Sequence, residues 1–483
     1  MTVRLSKPLC EKKAVFSYPE ASRLLRVPLE CPAPELSLLS FSIDTRTLQE
    51  NELFVALTGQ NTDGHEHVVS AYERGASGVL IEIRKKEKVA KALQQAGCKA
   101  RNILAVEDPQ KAIAELAAHY RSPLETHAIG VVGSVGKTTT KECLYFLLRQ
   151  KFSAIATVGN LNNHLGVPIM LSRLKPEHRF AVMELGASHV GEIAYLSKLI
   201  KPDGAILTPI GPAHLEGFGS LANVYLAKAE IVDFLEPTAP LVIPDEDSEL
   251  QRVLLKKGRK KFITVGLSSK ADYQISNVLV ERDIVTFLLN GKWKFSFPGQ
   301  AAFLATNAAL AIAMAAQWGF SIEEMPKEWK DVGFASGRFR ETILANGIRV
   351  IDDSYNASPL AFSEGISAFE AIPCNGKKFL VFADMLELGA DEIHFHQELG
   401  KKIAKAHVDY ALAYGQLSSA AIGAVLKASK RFCEARHFAD SLELMEFLRA
   451  VVRPGDLVFL KGSRSMRVET VLTRIKELVF SVS

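Results

Sequence analysis

A glycine-rich loop constrains what this chain can fold into more than any other feature of the sequence. Residues 128–140 read AIGVVGSVGKTTT, so that an apolar run predicted as a strand leads through glycines into a predicted helix. Glycines at such a turn let backbone N–H groups surround phosphate oxygens, while Lys137 neutralises charge and the Thr138 hydroxyl can ligate magnesium. The strict form of this loop is not met, because Val131 occupies the place of its first glycine. We therefore predict a nucleoside triphosphate site here, which is compatible with several kinds of reaction.

The chain around this loop alternates predicted strands and helices, the pattern of parallel sheets covered by helices. A polar segment at residues 121–126 breaks one helix, and a second alternation begins after the segment at residues 337–340. With 483 residues, three domains are expected, at residues 1–124, 125–336 and 337–483. We predict an α/β fold: a small α/β unit, a central mainly parallel sheet with helices on both faces, and a Rossmann-like C-terminal unit.

Composition narrows the class of protein and its compartment. The chain is 48% hydrophobic and 23% charged, which is typical of a globular protein, and a net charge of +4 without a basic block argues against a nucleic-acid partner. The six cysteines are far apart, and the first 30 residues hold no uninterrupted apolar run of the kind found in signal peptides. We expect a cytoplasmic protein.

One segment approaches the composition of a membrane span. Residues 301–318 carry no charge, but they are rich in alanine and include Thr306, Asn307 and Gln317. We predict a buried helix of a globular domain here, and no integral membrane association.

Two polar side chains follow the ends of apolar runs predicted as strands. Glu184 follows the run at residues 180–183, and His214 follows the run at residues 205–208. Ligands of open α/β sheets bind at the carboxyl ends of the strands. A carboxylate there can hold magnesium, and a neutral imidazole can bind or orient a ligand, although an isolated histidine is more often structural.

Longer segments along almost the whole chain resemble the Mur ligase family. The segments that carry the resemblance lie at residues 42–46, 53–65, 159–168, 183–188, 212–219, 352–359, 384–389 and 461–466. The last two, DMLELG and KGSRSM, resemble the family member that adds D-alanyl-D-alanine more than its sister enzymes.

The resemblance implies an ATP-dependent ligase that forms an amide bond. ATP would phosphorylate the terminal carboxylate of UDP-N-acetylmuramoyl-tripeptide, and the amine of D-alanyl-D-alanine would attack the acyl phosphate, giving the pentapeptide precursor of peptidoglycan. A carboxylate is a poor electrophile, so such a site needs cations and positioning more than covalent chemistry. Magnesium is the implied cofactor, these small molecules are the implied partners, and a monomer is expected.

The resemblance also implies roles for individual residues. The catalytic set is Lys137, Glu184, His214 and Lys228. The metal ligands are Thr138, Glu184, His214 and, if carbamylated, Lys228. The ATP-binding set is Gly133, Ser134, Val135, Gly136, Lys137, Thr138, Thr139, Asn307, Arg338 and Asp353. The substrate-binding set is Ser42, Asp44, Thr45, Arg46, Asn61, Asp63, His65, Asn160, Asn163, Asp384, Lys461, Ser463 and Arg464.

Several of these roles have plainer alternatives. Lys228 would gain a magnesium-binding carboxylate by reaction with carbon dioxide, or would remain an unmodified lysine in an ordinary ion pair. Asn307 is expected near adenine, Arg338 near the phosphates and Asp353 near the ribose. The plainer alternative for Arg338 is an interdomain salt bridge, and that for Asp353 is a turn or cap.

The chain departs from the family pattern in two places. Val135 replaces a residue that is usually polar, commonly asparagine, and the tyrosine–asparagine segment ends in residues 357–359, Ala-Ser-Pro. Neither change removes a charged group. Since Val135 would contribute mainly its backbone to phosphate binding, we expect the loop to remain functional.

Three other functions are compatible with the loop. A ligase of the same superfamily, such as a folylpolyglutamate synthase, would lack the uridine-binding segment, and residues 41–65 argue against it. A P-loop ATPase or switch would release phosphate without making a bond. A nucleotide-sugar-binding module would have lost catalysis, although Lys137, Thr138, Glu184 and His214 are all present.

Overall fold

Three β-sheets organise the described part of the chain. The computed structural model describes residues 17–33, 35–59, 62–281, 283–330, 332–333, 337–428 and 433–480. The sheets lie in the order of the chain, at residues 29–106, 127–298 and 340–461, and most neighbouring strands are parallel. This arrangement confirms the predicted three-part α/β fold.

The first sheet is small and covered by four helices. Its strands are β1 (Leu29–Glu30), β2 (Phe41–Ser42), β3 (Leu53–Val55), β4 (Gly78–Glu82) and β5 (Ile103–Val106). The helices are α1 (Tyr18–Leu25), α2 (Val68–Glu73), α3 (Lys86–Gln95) and α4 (Pro109–Arg121). The strand order is β1-β5-β4-β3-β2, with β1 antiparallel at the edge.

The link to the central sheet is held by the last residue of α4. Asp108 caps the start of this helix, accepting hydrogen bonds from Gln110 N (3.0 Å) and Lys111 N (3.1 Å). At its end, the buried Arg121 guanidinium donates to the carbonyl oxygens of Leu124 (2.9 Å) and Thr126 (2.7 Å). The polar linker is therefore pinned to the helix that precedes it.

The central sheet has nine strands. They are β6 (His127–Val132), β7 (Ala154–Ala156), β8 (Phe180–Glu184), β9 (Gly204–Leu207), β10 (Leu241–Pro244), β11 (Ile263–Gly266), β12 (Tyr273–Glu281), β13 (Ile284–Leu289) and β14 (Trp293–Pro298). The helices are α5 (Lys137–Leu148), α6 (Gly166–Ser172), α7 (Glu192–Ile200), α8 (Leu215–Phe218), α9 (Leu221–Lys228), α10 (Ser248–Lys256) and α11 (Leu304–Gln317). The order is β14-β13-β12-β11-β10-β9-β6-β8-β7, and only the β12–β14 meander is antiparallel.

The alanine-rich helix α11 lies in the core of this unit and packs against α5. Small alanine side chains allow the two helices to approach closely. The prediction of a buried helix at residues 301–318 is confirmed. Among the described residues, no helix is both long enough and apolar enough to cross a membrane.

The C-terminal sheet has six strands. They are β15 (Arg340–Ile343), β16 (Arg349–Asp353), β17 (Lys378–Ala383), β18 (Tyr410–Tyr414), β19 (Glu434–Phe438) and β20 (Leu457–Lys461). The helices are α12 (Pro359–Ala371), α13 (Glu392–Ile403), α14 (Ser418–Ala428), α15 (Ser441–Val451) and α16 (Glu469–Phe480). The order is β15-β16-β20-β17-β18-β19, with only β15 antiparallel.

Short 3-10 turns connect several elements. They cover Gly64–His67, Ile83–Lys85, Ala229–Phe234, Gly389–Asp391 and Arg464–Met466.

The register of the parallel strands brings polar strand ends together. In the central sheet Val131 pairs with Glu184, so the glycine loop after β6 and the carboxylate at the end of β8 share one edge. In the C-terminal sheet Asp353 pairs with Lys461 at the ends of β16 and β20. Strands buried on both faces need continuous apolar sequence, so these polar residues can stand only where the strands end.

Candidate active site

A cavity of about 900 Å³ lies between the central and C-terminal sheets. Residues from the strand ends of both sheets line it, among them Glu184, Asp353 and Lys461. The described residues that line this cavity all fall between Gly133 and Ser465, so the first domain contributes no part of its wall. This is the place where open α/β sheets bind their ligands.

The glycine loop forms one side of the cavity. Gly136 has φ 81°, and a Cβ atom there would lie 2.4 Å from Asn307 Oδ1. A larger residue at this position would therefore be strained in its backbone and would collide with a buried side chain. Helix α5 begins directly after it, at Lys137, which places the helix N-terminus at the loop as the sequence predicts.

Lys137 folds back over the loop. Its Nζ donates to the carbonyl oxygens of Gly133 (2.8 Å) and Ser134 (3.1 Å). Burial lowers the pKa of Lys137 to about 8, and the nearby Glu184 carboxylate opposes this shift. A phosphate held at the loop would supply the negative charge that this buried ammonium lacks.

Two backbone amides of the loop are engaged within the protein. The N–H groups of Ser134 and Val135 both donate to the carbonyl oxygen of Pro209, at 3.1 and 3.2 Å. Thr208 Oγ1 donates to Val135 O (2.6 Å), and Ser134 Oγ donates to Gly211 O (2.9 Å). The segment after β9 thus holds the loop, and phosphate binding through these two amides requires exchange of their hydrogen bonds.

A hydroxyl and a carboxylate meet beside the loop. Thr138 Oγ1 donates to Glu184 Oε2 (2.9 Å), and Asn162 Nδ2 donates to Glu184 Oε1 (2.9 Å). Glu184 is only 2% exposed. Arg338, from the segment before β15, donates from Nη2 to Thr138 Oγ1 (3.2 Å), which brings a third-domain cation to the same point.

This group of donors fits a magnesium ion that accompanies a nucleotide. Among the described residues, no three His, Cys, Asp or Glu side chains lie close enough to hold a metal on their own. Magnesium at nucleotide sites commonly takes one or two protein ligands and completes its shell with phosphate oxygens and water. The Thr138 hydroxyl and the Glu184 carboxylate supply oxygen ligands of that kind.

His214 also lines the cavity and stands at the start of α8. Its backbone has φ 53° and ψ 34°, a left-handed conformation that is uncommon for residues other than glycine. Its Nδ1 is hydrogen-bonded to a carboxylate oxygen of Glu387, which belongs to the C-terminal domain. Burial lowers the pKa of His214, although the Glu387 contact opposes the shift.

Lys228 ends α9 and is almost fully buried, with 2% exposure. Its Nζ donates to Ala187 O (3.0 Å) and lies 5.0 Å from the centre of the Phe218 ring. Burial, followed by repulsion from Lys137, lowers the pKa of Lys228 to about 7. The lowered pKa favours the neutral amine form of this lysine.

The C-terminal domain contributes the Asp353 carboxyl group, the Lys461 side chain and the Tyr355 ring to the cavity. Lys461 Nζ donates to an Asp353 carboxylate oxygen and to Asn356 O (3.2 Å), and Asp353 Oδ1 also accepts from Phe339 N (3.1 Å). Burial raises the pKa of Asp353, while Lys461 opposes the shift. The Arg338 guanidinium stacks 4.0 Å from the centre of the Tyr355 ring.

Asn307 lies behind the glycine loop on α11. It is 3% exposed, and its Oδ1 accepts from Thr140 Oγ1 (3.3 Å). It lines the cavity, as do Gly133, Ser134, Val135, Gly136 and Thr139.

The expected substrate residues near the cavity have different environments. Asn163 lines the cavity, but its Oδ1 caps α6 through Gly166 N (2.9 Å), whereas Asn160 is exposed and outside the lining. Ser463 and Arg464 both line the cavity.

Asp384 does not line the cavity among the described residues. It is 4% exposed, and its Oδ1 accepts from Ser418 N (2.7 Å) and from the Ser418 hydroxyl, while Oδ2 accepts from Leu417 N (3.2 Å). The carboxylate is therefore engaged at the start of α14.

The expected substrate residues of the first domain lie away from this cavity in two small networks. The Asp44 carboxylate forms an ion pair with the exposed Arg46 (2.6 Å). The main-chain N–H of Asp44 donates to Ser42 Oγ, and the Ser42 hydroxyl donates to the Asp44 carbonyl oxygen. Thr45 lies between Asp44 and Arg46 in the sequence. Asp63 binds His65 Nδ1 (2.7 Å) and Lys85 Nζ (2.9 Å). Asn61 lies outside the described residues.

Sequence reasoning missed a number of side chains that line the cavity, among them the four residues Asn162, Tyr355, Glu364 and Glu387. Three of these four lie inside segments that were already singled out, so their position in those segments was the available signal. Glu364 lies on α12 without such a signal. Burial raises the pKa of Glu364 to about 7, and Lys461 opposes the shift.

Comparisons with known proteins agree along the chain. Three family models match: "Mur ligase family, catalytic domain" at residues 40–121, "Mur ligase middle domain" at residues 131–315 and "Mur ligase, glutamate ligase domain" at residues 337–464. The UDP-N-acetylmuramoyl-tripeptide--D-alanyl-D-alanine ligase of Bacillus subtilis is 32% identical over 91% of this chain and 92% of its own length. The enzyme of the same name from Escherichia coli is 31% identical over 93% of this chain and 96% of its own length.

Solved structures with similar folds include two MurF enzymes. A crystal structure of MurF from Acinetobacter baumannii has a TM-score of 0.79 at 27% identity and covers 96% of this chain and 99% of its own. MurF ligase from Thermotoga maritima in complex with ADP has a TM-score of 0.76 at 27% identity and covers 92% of this chain and 98% of its own.

Proposed function

This chain belongs to the Mur ligase family, and on that basis we propose that it joins D-alanyl-D-alanine to UDP-N-acetylmuramoyl-tripeptide at the expense of ATP. An oxygen of the tripeptide's terminal carboxylate attacks the γ-phosphorus of ATP, and ADP leaves. The free amine of D-alanyl-D-alanine then attacks the acyl carbon, the C–O bond to phosphate breaks, and inorganic phosphate departs as the amide forms and the amine loses a proton. The product is the UDP-linked pentapeptide used in peptidoglycan synthesis.

One observation carries this proposal more than any other. Lys137, Glu184, His214 and Lys228, which the resemblance implies as catalytic, line a single cavity between two domains. They come from four separate segments of the chain, and a hydrolytic nucleophile is not among them. Buried cations and a carboxylate around a phosphate loop suit phosphoryl transfer to a carboxylate, where charge must be neutralised.

We assign the ATP phosphates to the glycine loop and to the start of α5. Lys137 and Arg338 would neutralise phosphate charge, and Thr138 with Glu184 would hold a magnesium ion, which polarises the phosphoryl group when it is bound. Asn307, buried behind the loop, and Asp353, across the cavity, would contact the adenosine. The lysine is already directed at the carbonyls of the loop, so that only a short movement brings it to a phosphate.

The acyl-phosphate end of the site would contain His214 and Lys228. We propose that Lys228 is carbamylated, which would add a second carboxylate for magnesium. Its burial and a pKa of about 7 make the reactive neutral amine available near neutral pH. Native mass spectrometry of the intact protein tests this point: a mass increase of one carbon dioxide should occur in the wild type and not in Lys228→Arg. Equal masses after correction for the substitution would reject the modification.

The remaining substrate groups are assigned by domain. Residues 1–124 would bind the UDP end, through Ser42, Asp44, Thr45, Arg46, Asn61, Asp63 and His65. Residues 125–336 would bind ATP and, through Asn160 and Asn163, the peptide stem. Residues 337–483 would bind the dipeptide beside Lys461, Ser463 and Arg464. The positive charges of Lys461 and Arg464 suit its carboxylate, and Asp384 would support the neighbouring loop.

We further propose that the enzyme works as a monomer in the cytoplasm. All groups named above come from one chain, so the reaction needs no second subunit. The five described cysteines are free thiols, which suits a reducing compartment.

The test is a three-substrate reaction with purified protein. ATP, magnesium and UDP-N-acetylmuramoyl-tripeptide, with either diaminopimelate or lysine as the third residue, are incubated with and without D-alanyl-D-alanine. Phosphate release and the mass of the UDP-pentapeptide are followed together. Product formation that needs all three substrates is expected. Phosphate release indifferent to the dipeptide would support a P-loop ATPase, and activity with folate and glutamate instead would support the other superfamily ligase.

A further inference from the structure

A side-chain pair joins the central and C-terminal domains at the rim of the cavity. His214 stands at the start of α8, and Glu387 lies on the loop between β17 and the turn Gly389–Asp391. The imidazole Nδ1 of His214 is hydrogen-bonded to a carboxylate oxygen of Glu387. A backbone hydrogen bond from Glu216 N to Glu387 O (3.1 Å) supports the same contact.

The loop that carries Glu387 is anchored firmly to its own domain. Met385 N donates to His396 Nε2 (3.0 Å), and Leu386 N donates to Ser463 Oγ (2.8 Å). Leu388 is 2% exposed, so the loop is held on both sides of Glu387. The carboxylate therefore moves with the C-terminal domain as a unit.

His214, the other residue of the pair, is held as firmly in the central domain. Gly217 N and Phe218 N both donate to His214 O at 3.0 Å, and Phe218 is 2% exposed. His214 has φ 53° and Glu387 has φ 63°. Non-glycine residues keep this left-handed conformation only when their surroundings enforce it, so two such residues meeting across a domain boundary indicate a built contact.

The contact determines which imidazole nitrogen is free. When a carboxylate accepts a hydrogen bond from Nδ1–H, the neutral ring keeps its proton on Nδ1, and Nε2 carries a lone pair. Within the described part of the chain, the bond to Glu387 is the one hydrogen bond of the His214 ring to a side chain. Ligating histidines commonly have a carboxylate at the other ring nitrogen in this way.

We propose that Glu387 is a positioning residue that couples docking of the C-terminal domain to the state of His214. Docking brings the carboxylate to Nδ1, which selects the Nδ1–H tautomer and leaves Nε2 available to the acyl-phosphate end of the cavity. The site is then complete only when the C-terminal domain, with its bound dipeptide, is in place. This inference rests on the proposed function of the same cavity.

A double-mutant cycle on the ligation reaction is the first test. Glu387→Ala should lower kcat about 10- to 100-fold, as is usual when the carboxylate behind a ligating histidine is lost. Glu387→Gln keeps an acceptor and should recover part of that loss. In a His214→Ala background, Glu387→Ala should have less than about a twofold further effect, because its partner is already absent. The exposed Glu398→Ala, on the same domain, is the control. Equal losses in both backgrounds, or none in the wild type, would overturn the proposal.

A second measurement does not depend on activity. Nitrogen-15 NMR of labelled histidine distinguishes the two neutral tautomers, and the His214 signals are assigned by their absence in His214→Ala. The wild type should have the Nδ1–H tautomer, and Glu387→Ala should shift His214 towards the Nε2–H form. An unchanged tautomer would refute the role of Glu387 even if the protein proved to catalyse another reaction. A wild type with the expected tautomer but without dipeptide-dependent product would refute only the proposed function.

Discussion

At the scale of single residues, ionisable side chains with shifted pKa values line the cavity between the two larger domains, among them Lys137, Lys228 and Glu364. Burial moves the pKa values of Lys137 and Lys228 down, to about 8 and about 7, and moves that of Glu364 up to about 7. Each shift means that burial disfavours the charged form of the group. Such groups are common at functional sites, where a bound ligand can supply the missing counter-charge. An anionic ligand would favour the charged forms of the two lysines, and a cation would favour that of Glu364.

Lys137→Ala tests the phosphate loop. Since the ammonium serves the charge of a phosphate and not the core, the variant should lose turnover by at least about 10²- to 10³-fold while keeping its fold. Steady-state kinetics and a thermal unfolding curve measure the two effects. Lys198→Ala, an exposed lysine of α7, serves as the control. Full activity of Lys137→Ala would remove the assignment of the loop.

Glu364→Gln tests the electrostatics of the C-terminal wall. Because its pKa is raised from an ordinary 4.5 to about 7, the folded state holds a proton that the unfolded chain releases, and native stability falls as the pH rises between these two values. Above the folded-state pKa, the neutral variant should be more stable than the wild type by about 2–3 kcal/mol, and near pH 4 by much less.

Urea unfolding at about pH 4 and about pH 8 measures that difference. The exposed Glu446→Gln, on α15 of the same domain, controls for a general loss of negative charge. A pH-independent difference between Glu364→Gln and the wild type would show that Glu364 keeps an ordinary pKa.

At the scale of elements, the ends of strands and helices carry the chemistry. Helix α5 presents its N-terminus to the cavity, β8 ends in Glu184, and β16 and β20 end side by side in Asp353 and Lys461. Apolar runs and glycines predict where such elements begin and end. The side chains at their ends were consequently the easiest functional residues to find.

Asp384 also follows the end of a strand, but its carboxylate does not face the cavity and instead accepts hydrogen bonds from the first turn of α14. Asp384→Ala should lower the stability of the C-terminal domain by about 1–2 kcal/mol, the usual effect of losing a helix cap. Asp384→Asn should retain most of the wild-type stability, because the amide oxygen can still accept these hydrogen bonds. Chemical unfolding gives the stability, and the KM for D-alanyl-D-alanine gives any role in binding.

Asp440 provides a matched control, because it caps α15 through Leu442 N (2.7 Å) and Glu443 N (3.0 Å). If Asp384 supports the dipeptide site, Asp384→Ala should raise that KM and Asp440→Ala should not. Equal KM values in both variants would leave Asp384 with a role in folding alone.

At the scale of the whole molecule, the cavity lies between the second and third domains, and none of its described lining residues belongs to the first. The residues expected to bind uridine lie outside this cavity, so the proposed function requires one long substrate to reach from the first domain to the second. Contacts such as Arg338 to Thr138 join the second domain to the third. Domain docking is therefore part of the assembly of the site.

Hydrogen exchange followed by mass spectrometry tests this division. A non-hydrolysable ATP analogue with magnesium should slow exchange both at residues 133–140 and at residues 337–339, which lie in different domains. UDP alone should slow exchange at residues 41–46 and 62–67 and leave the loop unchanged. Protection by the nucleotide confined to the central domain would argue against a shared site.

The sequence by itself determined the three α/β units, the glycine loop between β6 and α5, the place of Glu184 at the end of β8, and the family. These are local patterns of apolar period, glycine and residue order, and such patterns survive without knowledge of how distant segments pack. His214, in contrast, stands at the start of α8 and not at the end of β9. The roles of the individual site residues stay predictions, and Asn61 lies outside the described residues.

Only the tertiary structure decided the partners of these residues. The pair His214 and Glu387 is separated by 173 positions, and Asp384 reaches α14 across 34. Glu364 is an unremarkable helical glutamate in the sequence, and its raised pKa follows from the packing of α12 against the cavity. Burial and pairing depend on which surfaces meet when domains dock, and no pattern along the chain records that choice.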